Sequence, residues 1–247
     1  EARAADLIAA EVENTGKPVS LTTSEEIPPM VDQIRFFAGA ARHLEGKSTG
    51  EYMRNMTSMI RREPVGVCAQ VAPWNYPMMM AVWKWAPAIA AGNTVVLKPS
   101  EMTPAMSKVI SEIVSQSFDT NLVTVVQGDA PVARYLTQQP FDHIFFTGSP
   151  AVGKQVMAEA AKNLSSVTLE LGGKSPVVID SSADLKRAAN SICFGKFANN
   201  GQTCIAPDYV YVHQSVKQDF LSAMTNAIEE KYGSQQDLIS NSDYCRI

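Results

Sequence analysis

His143-Ile-Phe-Phe-Thr-Gly-Ser-Pro-Ala-Val-Gly153 decides how the chain is read. Its first four residues form a short, almost wholly apolar run, the pattern of a strand covered on both faces. Ser149 and Pro150 then open a helix, the serine as cap and the proline in the first turn. Val152, Val156, Met157 and Ala160 fall on one stripe of that helix. The same rhythm repeats outward. Val65-Gly-Val-Cys-Ala-Gln-Val71, Thr94-Val-Val-Leu97, Leu122-Val-Thr-Val-Val126 and Val167-Thr-Leu-Glu-Leu171 read as further strands. A helix with a Thr103 cap and Pro104 in its first turn sets Met106, Val109, Ile110, Ile113 and Val114 on one face. Strands alternating with helices predict an α/β fold: a doubly wound, mostly parallel sheet with helices on both faces.

Two regions break the rhythm. Residues 46–62 are punctuated by Gly and Ser and then lightly β-like, which suggests a protruding ribbon. After Gly172-Gly173 a second α/β unit begins, with a strand at Pro176 to Ile179. A helix follows from Ser181-Ser182-Ala-Asp184, carrying Leu185, Ala189, Ile192 and Phe197 inward. Asn199-Asn200-Gly201 stops it, and Tyr209 to Val212 reads as the next strand. The expected division is 1–171 and 172–247.

At 247 residues the chain has room for one large domain or two smaller ones. With 45% hydrophobic and 19% charged residues it is globular in composition. A net charge of −4 and a pI near 5.5 exclude the basic footprint of a nucleic-acid binder. The best apolar stretch, Met78 to Ala91, is cut by Lys84 and Pro87 and is too short for a membrane span. The opening residues EARAADLIAA show no signal-peptide pattern. They read as the middle of a helix, so a cytoplasmic protein of which this is a fragment is expected. Four cysteines without a CxxC pair and three scattered histidines argue against a disulfide framework or a metal site.

Cys204, in Gly201-Gln-Thr-Cys204-Ile-Ala-Pro207, lies in a turn between helix and strand. Such a thiol is presented as a nucleophile or is a small buried hydrophobe. In the strand ending at Leu171, alternation sets Val167, Leu169 and Leu171 on one face and Thr168 and Glu170 on the other. Glu170 is then a carboxylate at a strand's carboxyl end, a general base or a solvated edge residue. Gly148, Ser149 and Gly153 surround a helix start whose free N–H groups suit a pyrophosphate, although a GSxxxG also serves as a simple cap. Lys98 and Glu101 pair a donor with an acceptor just after a strand, as ribose hydroxyls need, or as any charged loop has. Asn75, between Pro73 and Pro77, offers an amide that can polarise a carbonyl, or a structural turn.

Taken together, these segments resemble the NAD(P)-dependent aldehyde dehydrogenase superfamily. The matching stretches are APWNYP (72–77), AGNTVVLKPSE (91–101), FTGSPAVGK (146–154), LELGGKSP (169–176) and GQTCIAPDYV (201–210). Residues 27–106 are similar to the aminoaldehyde and betaine-aldehyde branch. From about 118 onward the chain, with its tail SDYCRI, is similar to the class 3 and fatty-aldehyde branch. The resemblance implies a Rossmann-like dinucleotide-binding domain over 1–171 and the amino-terminal part of a catalytic domain over 172–247. It implies Cys204 as the nucleophile, Glu170 as the base for water, and Asn75 as the oxyanion donor. Lys98 and Glu101 would hold ribose, Gly148, Ser149 and Gly153 pyrophosphate, and Trp74 would line the cleft. NAD, with NADP possible, is the implied cofactor, a small aldehyde the substrate, and a homodimer or homotetramer the assembly.

Two other readings use the same residues. A thiol hydrolase would use Cys204 on esters, although His143 and His213 stand in no recognisable cysteine-hydrolase context. A non-catalytic dinucleotide-binding fragment would bind cofactor without turnover.

Overall fold

A computed structural model describes residues 1–233, 238 and 241–246; Ile247, the end of the SDYCRI tail, lies outside the described residues. The core is a five-stranded, all-parallel sheet of β3 (Val67–Val71), β4 (Thr94–Lys98), β5 (Val123–Val125), β6 (His143–Gly148) and β7 (Ser166–Leu171), preceded in the chain by a hairpin of β1 (Lys47–Met53) and β2 (Met56–Ile60). Its spatial order is β5-β4-β3-β6-β7. The chain winds outward from β3 in one direction, returns, and winds out in the other. The direction reverses beside β3, and a crevice forms there at the strands' carboxyl ends. This is the doubly wound α/β sheet expected from the sequence.

Eight helices of two turns or more accompany the strands among the described residues: α1 (Ala4–Thr15), α2 (Ile27–Ala40), α3 (Pro77–Ala90), α4 (Pro104–Ser117), α5 (Ala130–Thr137), α6 (Pro150–Ala161), α7 (Leu185–Phe197) and α8 (Lys217–Tyr232). On one face of the sheet Leu97, Val95 and Val123 pack with Val82, Trp85, Met106 and Ile110. On the other, Ala69, Ile144 and Phe146 pack with Val156 and Ala160. Sheet residues buried from both sides explain why these strands are almost continuously apolar.

The strand limits differ from the sequence reading in instructive ways. Val65 and Gly66 lie outside β3 because the Asn93 side-chain oxygen takes their N–H groups, at 2.7 and 3.0 Å. Thr103 precedes α4 but does not cap it; its buried hydroxyl donates to the Ser100 carbonyl. The N–H of Met106 is instead accepted by the Asn14 side chain of α1, at 3.0 Å. A cap supplied across a helix–helix contact leaves no local signature.

Ser149 caps α6 as expected, accepting from the Val152 N–H. The inward stripe is different: Gly153, Val156 and Ala160 are buried, while Val152 and Met157 are exposed. The helix turns its smallest residue to the sheet because it lies so close. A Cβ on Gly153 would stand 2.8 Å from Leu171 Cδ2. Gly153→Val is therefore expected to cost ~1–3 kcal/mol through overpacking, read as a lowered Tm; an unchanged Tm would mean the helix can retreat freely.

Residues 46–62 do form a ribbon: β1 and β2 pair antiparallel and are exposed along their whole length. β8 (Ser175–Ile179) and β9 (Pro207–Val212) pair parallel in a separate two-stranded sheet, with α7 between them in the chain. Asp184 caps α7, accepting from the Arg187 N–H at 3.0 Å.

One buried cluster was not visible in the sequence. The Lys17 ammonium, fully buried, lies 2.7 Å from Glu11 and 2.6 Å from Glu26. Tyr76 and the Cys245 thiol also face this cluster. Burial pushes the Glu11 carboxyl up to about 7, against the pull of Lys17 and helped by the nearby Glu26. Its ordinary value is 4.5, so the folded chain binds this proton more tightly than the unfolded chain. Its contribution to stability therefore falls as pH rises from about 4.5 to about 7 and is level above that. Glu11→Gln removes the titration. The Tm difference, variant minus wild type, is expected to grow across that window to a few degrees; a difference that shrinks with pH would reverse the assignment.

Candidate functional site

The carboxyl edge of the sheet is level. β3–β4 pairing ends at Val71 opposite Lys98, β3–β6 pairing at Val71 opposite Phe146, and Thr147 lies opposite Glu170. Lys98 and Glu170 thus emerge at the same edge, on different sides of the switch in strand order.

A cavity of about 780 Å³ opens over this edge, lined among others by Trp74, Lys98, Glu101, Gly148, Ser149 and Val152. That volume lies within the ~300–1,000 Å³ typical of cofactor and small-molecule sites. Lys98 is buried, and its ammonium donates to Glu101 at 2.9 Å and to the Pro99 carbonyl at 3.1 Å. This hydrogen bond holds the exposed Glu101 carboxyl below its usual range. A fixed cation–anion pair at a strand end offers both a donor and an acceptor, as a vicinal diol requires. Gly148 and Ser149 bring the start of α6 to the same wall, where unpaired N–H groups favour an anion. A Cβ at Gly148 would stand 2.5 Å from the Phe146 ring, so only glycine allows this approach. The donor–acceptor pair, helix start and volume fit a dinucleotide. Arg134, Gln155 and Glu159 also line the cavity and were not singled out from the sequence. Val152, Gln155 and Glu159 share one face of α6, and that spacing was the available signal.

On the other face of the sheet stands Glu170. Val167, Leu169 and Leu171 pack toward Val156, as alternation required, leaving Glu170 toward α3. Its Oε2 accepts from the Thr147 hydroxyl at 2.7 Å and lies 3.5 Å from the Lys84 ammonium. Lys84 also donates to the Thr147 hydroxyl and sits 4.0 Å from the Phe145 ring centroid. The Gln70 amide donates to the Lys84 carbonyl at 2.7 Å and fixes α3 on the sheet. Burial pushes the Lys84 ammonium down to about 8, with Glu170 opposing the shift. In the sequence Lys84 was only the residue that interrupts an apolar stretch.

Cys204 is exposed, in the turn between α7 and β9. Asn199, Asn200 and Gly201 hold three consecutive left-handed conformations, with φ of 50°, 49° and 78°, and reverse the chain ahead of it. The loop is tied to the segment before α3 at several points. The Asn75 amide donates to the Gln202 carbonyl at 2.7 Å, and Asn199 donates to the Asn75 carbonyl at 2.9 Å. The Tyr76 and Thr203 hydroxyls meet at 2.8 Å. From the other side, a Cβ on Gly173 would stand 3.3 Å from the Cys204 carbonyl oxygen. The residues that follow Glu170 therefore pass directly against the thiol's own turn. Asn75, Cys204 and the Glu170 strand end are gathered from three distant parts of the chain. Asn199, the fully buried hub of this network, was read from sequence only as a helix stop.

Residues 1–241 match the profile described as Aldehyde dehydrogenase family. The 4,4'-diaponeurosporen-aldehyde dehydrogenase of Staphylococcus aureus (strain NCTC 8325 / PS 47) is 46% identical over 196 residues, covering 79% of this chain and 42% of that protein. The dimeric NADP-preferring aldehyde dehydrogenase of Mus musculus is 40% identical over 226 residues, covering 90% of this chain and 49% of that protein. The solved substrate-bound state of Staphylococcus aureus AldH superposes with a TM-score of 0.94 at 39% identity, covering 100% of this chain and 54% of that one. The chain spans about half the length of the curated relatives it matches. Both the cavity at the sheet edge and the Cys204 turn lie within the matched residues, and the chain belongs to the aldehyde dehydrogenase family.

Proposed function

We propose that the protein containing this chain oxidises an aldehyde to the carboxylic acid with NAD(P)+, using Cys204 as nucleophile and Glu170 as base. The observation that carries the reading is the convergence of Asn75 and the turn after Glu170 on the Cys204 loop, next to the cavity that fits a dinucleotide. Lys98, Glu101, Gly148, Ser149 and Trp74 are the proposed cofactor residues; Gly153, expected from the sequence among them, has its N–H taken by the Ser149 carbonyl and serves to bring α6 close to the sheet. The Cys204 thiolate attacks the aldehyde carbon and forms a C–S bond. The oxyanion so created takes hydrogen bonds from the Cys204 N–H and from the Asn75 amide, whose other N–H is anchored on Gln202. When bound, the dinucleotide supplies the hydride acceptor that turns this adduct into a thioester on Cys204. Glu170 takes a proton from water, the water oxygen attacks the thioester carbon, and the C–S bond breaks to return the thiolate. Aldehyde and water become acid, with one hydride and one proton given up. Thr147 and Lys84 hold the Glu170 carboxylate in place for this step.

The same reading divides the chain into a dinucleotide-binding unit, 1–171, and the amino-terminal part of a catalytic unit, 172–247. It assigns the exposed β1–β2 hairpin, with Tyr52, Met53, Met56 and Met59 outward, to contact between subunits of a homodimer or homotetramer. No described helix is long and apolar enough to cross a membrane. Four cysteines, all free, suit the reducing cytoplasm.

The test is reduced-nicotinamide absorbance from the full-length protein with a panel of aldehydes. Aldehyde-dependent cofactor reduction is expected; ester cleavage without cofactor and no aldehyde oxidation would favour the thiol-hydrolase reading. Glu101 further sets the cofactor. Kept charged by Lys98, it accepts from ribose hydroxyls and repels a 2′-phosphate, so NAD is expected to be preferred. Glu101→Gln should raise kcat/KM for NADP relative to NAD by about tenfold, the ~1.4 kcal/mol of one partly screened like charge. An unchanged ratio would show that Glu101 turns away from the ribose.

A further inference from the structure

The buried Lys17 cluster reaches the reaction's geometry through the Tyr76 ring. Its ammonium lies 3.9 Å from the centroid of Tyr76, the residue that follows Asn75. The Tyr76 hydroxyl in turn meets the Thr203 hydroxyl at 2.8 Å, one residue before Cys204. Tyr76 therefore spans the oxyanion amide and the nucleophile's loop. Its ring face rests on a cation that two carboxylates, Glu11 from α1 and Glu26 from the π-helical turn Thr22–Glu26, hold from either side.

Stability alone is a poor reason for such a cluster. Three buried ionisable groups carry a desolvation cost that well-packed apolar residues of the same volume would avoid. Glu11 Oε2 is buried without a hydrogen-bond partner, and a proton on Glu11, whose carboxyl burial pushes up, brings the three groups to neutrality. A pinned ammonium is useful for direction: it cannot slide off the aromatic face it attracts. The loop it reaches needs holding. Asn199, Asn200 and Gly201 all have left-handed backbones, which Asn and Gly tolerate without strongly preferring, so contacts around the loop are what keep it in one conformation. Asn199 anchors the near end of that loop on the Asn75 carbonyl, and Tyr76 anchors the far end at Thr203.

We infer that Lys17, clamped by Glu11 and Glu26, is a positioning residue for the nucleophile: it fixes the Tyr76 ring, and the Tyr76 hydroxyl keeps Thr203 and Cys204 in register with the Asn75 amide. This rests on the reading of Cys204 as nucleophile. Displacement of a reacting atom by ~1 Å costs about a hundredfold in rate, so the effect belongs to formation of the covalent adduct and not to cofactor binding.

The experiment uses the full-length protein and two variants. Tyr76→Phe keeps the ring over Lys17 and deletes only the hydroxyl. The triple variant Lys17→Met, Glu11→Gln, Glu26→Gln removes the cation without leaving a buried unpaired charge. Each is assayed for the rate of the first burst of reduced cofactor, for alkylation of Cys204 by iodoacetamide, for the Kd of NAD by titration, and for Tm. Burst and alkylation rates are expected to fall 10- to 100-fold in each, with the Kd of NAD unchanged. Adding Tyr76→Phe to the triple variant is expected to cost little more, since both act through one contact. A wild-type burst in Tyr76→Phe overturns the inference by itself, even if the triple variant does not fold; a folded triple variant with a wild-type burst, or fully additive losses, does the same. A wild-type protein that shows no aldehyde-dependent cofactor reduction, or a Cys204→Ala variant that keeps it, would instead overturn the proposed reaction.

Discussion

Cys204→Ala is expected to lower kcat for aldehyde oxidation by at least roughly 10⁴-fold, to background. In the proposed reaction the thiol forms the only covalent bond to substrate, and the neighbouring Thr203 hydroxyl is engaged by Tyr76. The cavity at the sheet edge, the proposed dinucleotide site, is lined by residues of other segments, so NAD binding should survive the substitution. Loss of NAD binding together with activity would mean a collapsed fold; retained turnover would remove Cys204 from the reaction.

The second large effect separates the two half-reactions. Glu170→Gln keeps an oxygen that can accept from Thr147 but cannot take a proton from water. Loss of a positioned general base costs ~10²–10⁴-fold, and in the proposed reaction that cost falls on thioester hydrolysis. Steady-state turnover should drop by that factor while the first, stoichiometric burst of reduced cofactor remains. If burst and turnover fall together, Glu170 is serving the thiol itself.

The parts of this arrangement that could be read in advance are those whose physics is local. β4 and β6 are apolar because both their faces are covered, and Ser149 and Asp184 cap helices through their own next turn. Asn199-Asn200-Gly201 stops α7 through backbone conformations that those residue types tolerate. Cys204 and Glu170 stood out because one lies in the turn beyond a helix and the other at the carboxyl end of a strand. What stayed hidden depends on partners far along the chain. Lys84 looks like a charge breaking an apolar run until Thr147 and Glu170 are brought beneath it. Lys17 gives no hint of burial until Glu26 and Tyr76 close over it. The inward face of α6 was misjudged because hydrophobicity favoured Val152 and Met157, whereas closeness to Leu171 favours Gly153.

The most direct measurement is of the covalent species. Full-length Glu170→Gln protein, mixed with NAD and an aldehyde and acid-quenched within the burst, is digested and its peptides weighed. The expected result is one acyl group, at the oxidation level of the acid, on the peptide carrying Cys204. An undiminished burst with that peptide unmodified, or with the acyl group on Cys68, Cys193 or Cys245, would contradict the assignment of Cys204 as nucleophile.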